Sequence, residues 1–221
     1  MTTPIILRID DLPTSIHLLT VNKFILLPET TLPLVLTDAK YAKLAESLAE
    51  TEGYLGFILA QGNEGRGPEF QAVGCLARIR DLERGVEGLN VLFEGVIRFR
   101  VVREIPPAGK GDLPRAEVEY GEFAADLQKE TEEVEGWNLE RIKAALLQIG
   151  RKEMPRDLKM LEAMPPRQII RLMAQTMPFS PTEKQALLEA PNFRALLELL
   201  FELLAVNFLT TTPDDPRARV N

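Results

Sequence analysis

The sequence predicts an α+β protein in which a half made of β-strands precedes a half made of α-helices. Short runs rich in Val, Ile, Leu and Phe, separated by turn residues, fill the first part of the chain. Strict alternation of apolar and polar residues follows Gly95, and helical spacing of apolar residues begins after residue 122. We therefore expect a β-rich unit over 1–121, a helical bundle over 122–210 and a flexible tail over 211–221.

Seven apolar segments predict the strands. Turn-forming residues separate them, and short strands with such punctuation are typical of a closed or half-closed antiparallel sheet. The segments are IILRI (5–9), IHLLTV (16–21), LPLVL (32–36), YLGFILAQ (54–61), AVGCLARIRDLE (72–83), GLNVLFEGVIRFRVV (88–102) and RAEVEYG (115–121).

The clearest strand follows Gly95. Ile97, Phe99 and Val101 fall on one face, and the residues between them are arginines. A period of two marks a half-buried strand, because successive side chains point to opposite faces. Gly95 itself interrupts the longer run, which indicates a β-bulge or a sharp bend at that point.

Helix signals occur once within the strands and repeatedly after them. Thr37 or Asp38 can cap DAKYAKLAESLAETEG (38–53), which ends at a glycine. In the second half, LERIKAALLQI, a proline-initiated helix from Pro166, a capping box over 180–183 and a final helix opened by Pro191 predict about four helices. We interpret the acid-rich run over 122–135 as solvated charge at a helix N-terminus.

Charge and composition exclude several classes of protein. The formal net charge is −7 and the pI is about 5.0, which argues against nucleic-acid binding and against docking on anionic lipid. The single cysteine, Cys75, fits a reducing cytoplasm, and MTTPIILRIDDLPTS lacks the features of a signal peptide. The apolar run over 193–209 carries Arg194, Glu198 and Glu202 on one stripe, so we expect a soluble helix and no membrane span.

Residues for catalysis or cofactor binding do not form any motif. Gly109-Lys110 lacks the hydroxyl residue and the preceding strand of a phosphate-binding loop. His17 is the only histidine and lies in an apolar strand, and Cys75 lies in another, so neither a catalytic triad nor a zinc site is indicated. A Ser–Lys dyad is recognised only by geometry, and nothing local supports one. We therefore expect no enzyme activity, no metal and no cofactor.

Two features could bind a partner. Arg78 and Arg80, and likewise Arg98 and Arg100, are spaced to project from one face of their strands. They would form either a cationic strip for acidic partners or a solvated sheet face balanced by nearby acids. The final helix, with Phe201 and Phe208, is either enclosed by the bundle or exposed as an apolar docking patch.

Four segments together resemble the N-terminal domain family of the Lon proteases. They are VNKFILLPETTLPLVL (21–36), with Pro28 and Leu32-Pro33-Leu34, then VGCLARIRDLE (73–83), EGVIRFRVVREI (94–105) and MPFSPTEKQALLEA (177–190). The resemblance covers about 16–205, in the family's order. The chain departs from the pattern at Glu29, where a glycine is common, and at Leu18 and Val21, which replace prolines.

The resemblance implies a fold and a function as expectations. It implies a PUA-like β pseudo-barrel followed by a helical bundle, in a bacterial, cytoplasmic, proteolysis-related protein that lacks the ATPase and Ser–Lys peptidase of whole Lon proteins. It implies a non-catalytic module that binds unfolded or client polypeptides or a partner protein, and homo-oligomerisation is left open. Since PUA-like barrels also serve RNA, an RNA-binding protein is the alternative.

Overall fold

The computed structural model describes residues 7–51, 53–61, 69–106, 109, 112–128, 134–153 and 158–209. The expected tail over 211–221, the loop over 62–68, Lys110 and part of the acid-rich run lie outside these residues. So do Ile5 and Ile6 of the first expected strand, while Ile9 lies in a 3₁₀ turn, Ile9–Asp11, and not in a strand.

The chain forms a mixed α+β fold. The strands are β1 (Ser15–Val21), β2 (Thr31–Leu36), β3 (Tyr54–Gln61), β4 (Glu69–Phe70), β5 (Val73–Arg84), β6 (Leu89–Ile105) and β7 (Arg115–Glu119). The helices are α1 (Ala39–Glu50), α2 (Leu139–Glu153), α3 (Leu158–Ala163), α4 (Pro166–Thr176), α5 (Pro181–Leu188) and α6 (Phe193–Leu204), with a 3₁₀ segment at Gly121–Leu127 and a π turn at Ala205–Leu209.

All seven strands belong to one sheet. Its main path runs β1-β7-β6-β5-β3-β4, and β2 pairs with β6. Every pairing is antiparallel except that of β1 with β3, which is parallel. Because β1 pairs with both β7 and β3, the strands β1, β7, β6, β5 and β3 form a closed ring of neighbours.

The predicted irregularity at Gly95 is confirmed. Opposite β5, Leu76 pairs with Ile97 and Ala77 pairs with Gly95, so Val96 is the extra residue of a β-bulge. A β-carbon on Gly95 would lie 2.1 Å from the carbonyl oxygen of Leu27. Glycine is therefore required here by close approach of the backbone that precedes β2.

Glu29, the departure noted above, keeps a backbone conformation that suits glycine. Its φ is 60°, in the left-handed region. Its amide donates to the carbonyl of Gly95, and its carboxylate pairs with Arg171 of α4. These contacts offset the conformational cost of a residue with a side chain in this turn.

The outer parts of three strands form a sheet extension, which we call the arm. It consists of residues 31–36, 79–84 and 89–94, with the β6 segment between the other two. Asp38 caps α1 by accepting from the amide of Lys40 at 2.8 Å, as predicted. Helix α1 then packs against β5 and β2, and Arg84 pairs with Glu46.

The helical half differs in detail from the prediction of about four helices, since five α-helices lie within its described residues. The capping box is confirmed: Ser180 Oγ accepts from the amide of Glu183, and the Glu183 carboxylate accepts from the amide of Ser180. The final helix is capped by Asn192, so Pro191 precedes the cap and does not occupy the first helical position. Within the described residues no helix has both the length and the apolar character needed to cross a bilayer.

A single apolar core joins the two halves, and one glutamine fixes the start of β2. Gln175 of α4 is 1% exposed. Its Oε1 accepts from the amide of Leu27 and from Thr30 Oγ1, and its Nε2 donates to the carbonyl of Thr31 at 3.1 Å. Helix α4 therefore positions the strand from which the arm begins.

Lys184 is a buried cation next to this glutamine. Its side chain is 2% exposed, and Nζ donates to the carbonyl of Gln175 at 2.6 Å. Burial lowers its pKa to about 8. Because the unfolded chain binds this proton more tightly than the folded chain, protonation of Lys184 opposes folding at pH 7.

Replacing Lys184 with methionine is expected to raise the free energy of unfolding at pH 7 by about 1–2 kcal/mol. Relative to the Lys184→Met variant, the wild-type protein should gain stability between pH 8 and 10.5, up to about 3 kcal/mol, because folded Lys184 loses its proton before unfolded Lys184 does. Urea denaturation of both proteins from pH 7 to pH 10 measures the difference. Parallel pH profiles for the two proteins would contradict the assignment.

Candidate functional site

Two of the four predicted arginines lie at the base of the arm and share one carboxylate. Arg78 Nε is 2.5 Å from Glu94 Oε2, and Arg80 Nη2 is 2.8 Å from Glu94 Oε1. Burial alone would raise the pKa of Glu94, but hydrogen bonds from the two arginines lower it below its usual range. The group therefore carries a net charge of one positive unit, spread over two guanidinium groups.

Arg98 is not on a surface strip with the others, which corrects the expectation of an exposed cationic face. It is 8% exposed, and its guanidinium forms a bidentate pair with Asp126 at 2.7 and 2.8 Å. Nη1 also donates to the carbonyls of Leu188 and Ala190, and the guanidinium lies 4.6 Å from the centre of the Phe123 ring. The helical half covers β6 at Arg98, so this arginine is buried although it lies on the polar face that the alternation predicted.

The expectation that the acid-rich run carries only solvated charge is also wrong for two of its residues. Asp126, in the 3₁₀ segment, is the partner of a buried arginine and is not a solvated helix charge. Glu122 pairs with Arg100 at 2.7 Å, and both side chains are about half exposed. Both acids therefore neutralise arginines of β6.

The two aromatic candidates belong to α6 and to the π turn that follows it. Phe201 is partly buried and packs against Trp137, with ring centres 5.7 Å apart. The side chain of Phe208 lies outside the part that the structure describes. The structure therefore does not bring Phe201 together with the four arginines in one site.

The outer face of the arm is a surface that the sequence analysis did not single out. Cross-strand pairing places Pro33, Leu92 and Asp81 in one row, and Val35, Asn90 and Glu83 in the next. The row between them, which contains Val91, points to the core. Val35 is 47% exposed, and the rows line an open groove of about 270 Å³.

The groove is apolar on one side and acidic on the other. Pro33 and Val35 of β2, with Leu92 of β6, form the apolar side. Asp81 and Glu83 of β5 are exposed, and no cation among the described residues forms a salt bridge with either carboxylate. The groove therefore offers apolar contact next to two uncompensated negative charges.

The outer edge of β2 is open for pairing. Among the described strands, β2 pairs only with β6. The carbonyl of Thr31 accepts from Gln175, so the backbone groups of Thr31 face away from β6. In an antiparallel ladder every second residue does the same, so Pro33 and Val35 also turn their backbone groups outward. Proline has no N–H, so of Pro33 and Val35 only Val35 has an amide that can donate at the outer edge of β2.

Residues that could have suggested covalent chemistry are poorly placed for it. Cys75 is fully buried, and burial raises the pKa of its thiol well above the usual range. Burial and the neighbouring Arg115 lower the pKa of His17. No group of three or more metal-ligating side chains occurs among the described residues.

The sequence contains a signal for this surface in two segments that alternate with a period of two. The segment LPLVL places proline and valine alternately between leucines, and RIRDLE places two acids around a leucine. Both are alternations with a period of two, which predict one buried face and one outward face. The outward residues could have been named from the sequence, but their alignment required the register of β2, β6 and β5.

The chain is similar to about a quarter of the length of two Lon proteases. It is 28% identical over 199 residues to Lon protease 2 of Syntrophobacter fumaroxidans (87% of this chain, 24% of that protein). It is 23% identical over 209 residues to Lon protease 2 of Myxococcus xanthus (92% of this chain, 25% of that protein). The chain thus spans about a quarter of the length of these curated relatives.

Two solved structures share the fold. The Lon N-terminal domain protein from Xanthomonas campestris is 24% identical with a TM-score of 0.56, over 87% of this chain and 98% of that one. The N-terminal domain of Mycobacterium avium complex Lon protease is 18% identical with a TM-score of 0.56, over 88% of this chain and 100% of that one. The model of the ATP-dependent protease La (LON) substrate-binding domain matches residues 15–206, so the chain belongs to this family, as the four sequence motifs indicated.

Proposed function

We propose that this chain is a Lon-type N-terminal module that binds unfolded or client polypeptides through the outer face of the arm. The observation that carries the proposal is an exposed apolar groove beside the open edge of β2. An extended peptide can lay alternate side chains into such a groove, and its backbone can pair with the strand edge. We propose that the module acts without catalysis of its own, in the cytoplasm of a bacterium.

The proposal includes the finer architecture. We propose that the β-rich half closes as a PUA-like pseudo-barrel, which the pairing of β1 with both β7 and β3 supports. We propose that the chain divides into two subdomains, 1–121 and 122–210. Strand β7 ends just before this boundary, and the 3₁₀ segment begins at it.

The RNA-binding alternative is not favoured, because the net charge is −7 and the four arginines that motivated it each pair with a carboxylate.

Replacing Val35 and Leu92 of the groove with serine tests whether the groove binds polypeptide. The double variant Val35→Ser/Leu92→Ser is expected to weaken binding of fluorescein-labelled β-casein about tenfold or more, because each substitution removes apolar contact worth about 1 kcal/mol. Fluorescence anisotropy measures the dissociation constant, and circular dichroism verifies the fold of each variant.

The matched control is Val102→Ser, which changes an exposed valine of β6 outside the arm. It is expected to bind casein as the wild type does. Absence of saturable binding by the wild type would contradict the proposed function. Equal losses for Val102→Ser and for Val35→Ser alone would show that the arm is not the binding surface.

A further inference from the structure

The exposed apolar surface of the groove on the arm indicates only an apolar ligand. Its shape and charge define the class of ligand more closely. We infer that it selects extended polypeptide segments in which apolar residues adjoin lysine or arginine. This inference rests on the proposed function and adds to it a chemical class of ligand.

An extended ligand fits the spacing of the rows. The Pro33 row and the Val35 row lie two residues apart along β2, which is about 6.6–6.8 Å in a strand. Side chains two residues apart in an extended peptide have the same spacing, whereas those of a helix do not. The outward backbone groups of Val35 also match the donors and acceptors of an extended chain.

Charge determines which extended chains are favoured. In each row the apolar residue lies on β2 and the carboxylate lies on β5, two strands away, at about 10 Å. A ligand whose apolar side chains contact Pro33 and Val35 would place a neighbouring long basic side chain within reach of Asp81 or Glu83. An acidic side chain in the same place would face two uncompensated carboxylates.

The base of the arm offsets only part of this preference, because its one net positive charge faces the two negative charges of Asp81 and Glu83. Arg78 and Arg80 already donate to Glu94, and that carboxylate is shared between them at 2.5 and 2.8 Å. Further along β5, Asp81 and Glu83 form no salt bridge within the described part of the chain. The groove therefore presents negative charge next to its apolar side, and the arginine pair of the base is occupied.

Three fluorescent peptides of equal length and equal apolar content test the inference. They carry two lysines, two glutamines or two glutamates next to the same Val and Leu residues. We expect the wild-type protein to bind the lysine peptide about tenfold more tightly than the glutamate peptide, with the glutamine peptide between them. The preference should shrink in 0.5 M NaCl, because salt screens exposed charges.

The variant Asp81→Asn/Glu83→Gln should bind the three peptides with nearly equal affinity. The control Glu104→Gln/Glu119→Gln removes two exposed carboxylates elsewhere on the sheet and should keep the preference of the wild type. Equal binding of the three peptides by the wild type, or a preference retained by Asp81→Asn/Glu83→Gln, overturns the inference while the proposed function stands.

Two further outcomes are distinguishable from these. If no peptide and no casein binds, the proposed function itself fails, and the inference with it. If no peptide binds and Leu92→Ser lowers the sedimentation coefficient of the protein at high concentration, a second copy of the chain covers the groove, and the inference is overturned on that ground.

Discussion

Replacing Arg98 with methionine is expected to lower the free energy of unfolding by about 3–5 kcal/mol, because it leaves a buried carboxylate without its partner. Asp126 would lose two hydrogen bonds at 2.7 and 2.8 Å and keep only the one from the Arg98 backbone amide. The carbonyls of Leu188 and Ala190, where α5 ends, would lose their donor as well. Urea denaturation at pH 7 measures the change.

Two controls make the result specific. Arg100→Met, two residues further along β6, breaks the exposed pair with Glu122 and is expected to cost less than about 1 kcal/mol. The double variant Arg98→Met/Asp126→Leu removes both buried charges and is expected to recover about 2 kcal/mol of the loss. If Arg98→Met and Arg100→Met lower the free energy of unfolding by the same amount, the contacts of Arg98 with the helical half do not stabilise the fold.

Replacing Gly95 with alanine is expected to lower the free energy of unfolding by about 2–4 kcal/mol, because the added methyl group meets backbone that cannot rotate away. The new β-carbon would lie 2.1 Å from the carbonyl oxygen of Leu27 and 2.8 Å from its carbonyl carbon. The same backbone carries the turn at Glu29, whose amide donates to Gly95. Relief of the clash must therefore shift the turn or open the bulge.

The matched control for this substitution is Gly121→Ala. A β-carbon on Gly121 would have no neighbour within 4 Å, so its effect should stay within about 0.5 kcal/mol. Thermal and urea unfolding of both variants measure the difference. A cost below about 1 kcal/mol for Gly95→Ala would contradict the close approach of the two backbones.

Elements with strong local signals could be predicted from the sequence. The capping box of α5 is confirmed because it depends on residues close together in the chain, and the bulge at Gly95 is confirmed because a glycine that interrupts an apolar run marks it. The alternation over 97–101 identified a strand, but it could not show that Arg98 is buried, since the covering segments lie 28 to 92 residues further along. Local periodicity reports which side chains share a face and does not report what packs on that face.

The same limit applied to the candidate site. The sequence analysis favoured arginines because they carry charge, and each of the four proved to have a carboxylate partner. The groove on the arm depends on the register that aligns Val35 with Asn90 and Glu83 across three strands. Such alignment follows from pairing between segments that are far apart in the chain, which a single sequence does not specify.

Pro33 has a consequence for how this molecule behaves when many copies are crowded together. A cross-β fibril grows by copying one strand's pattern of donors and acceptors onto the next, molecule after molecule. Pro33 supplies an acceptor and no donor in the middle of β2, so a stack of identical strands would lack a bond at every layer. Pro33 therefore makes the outer edge of β2 a poor template for the growth of a cross-β fibril.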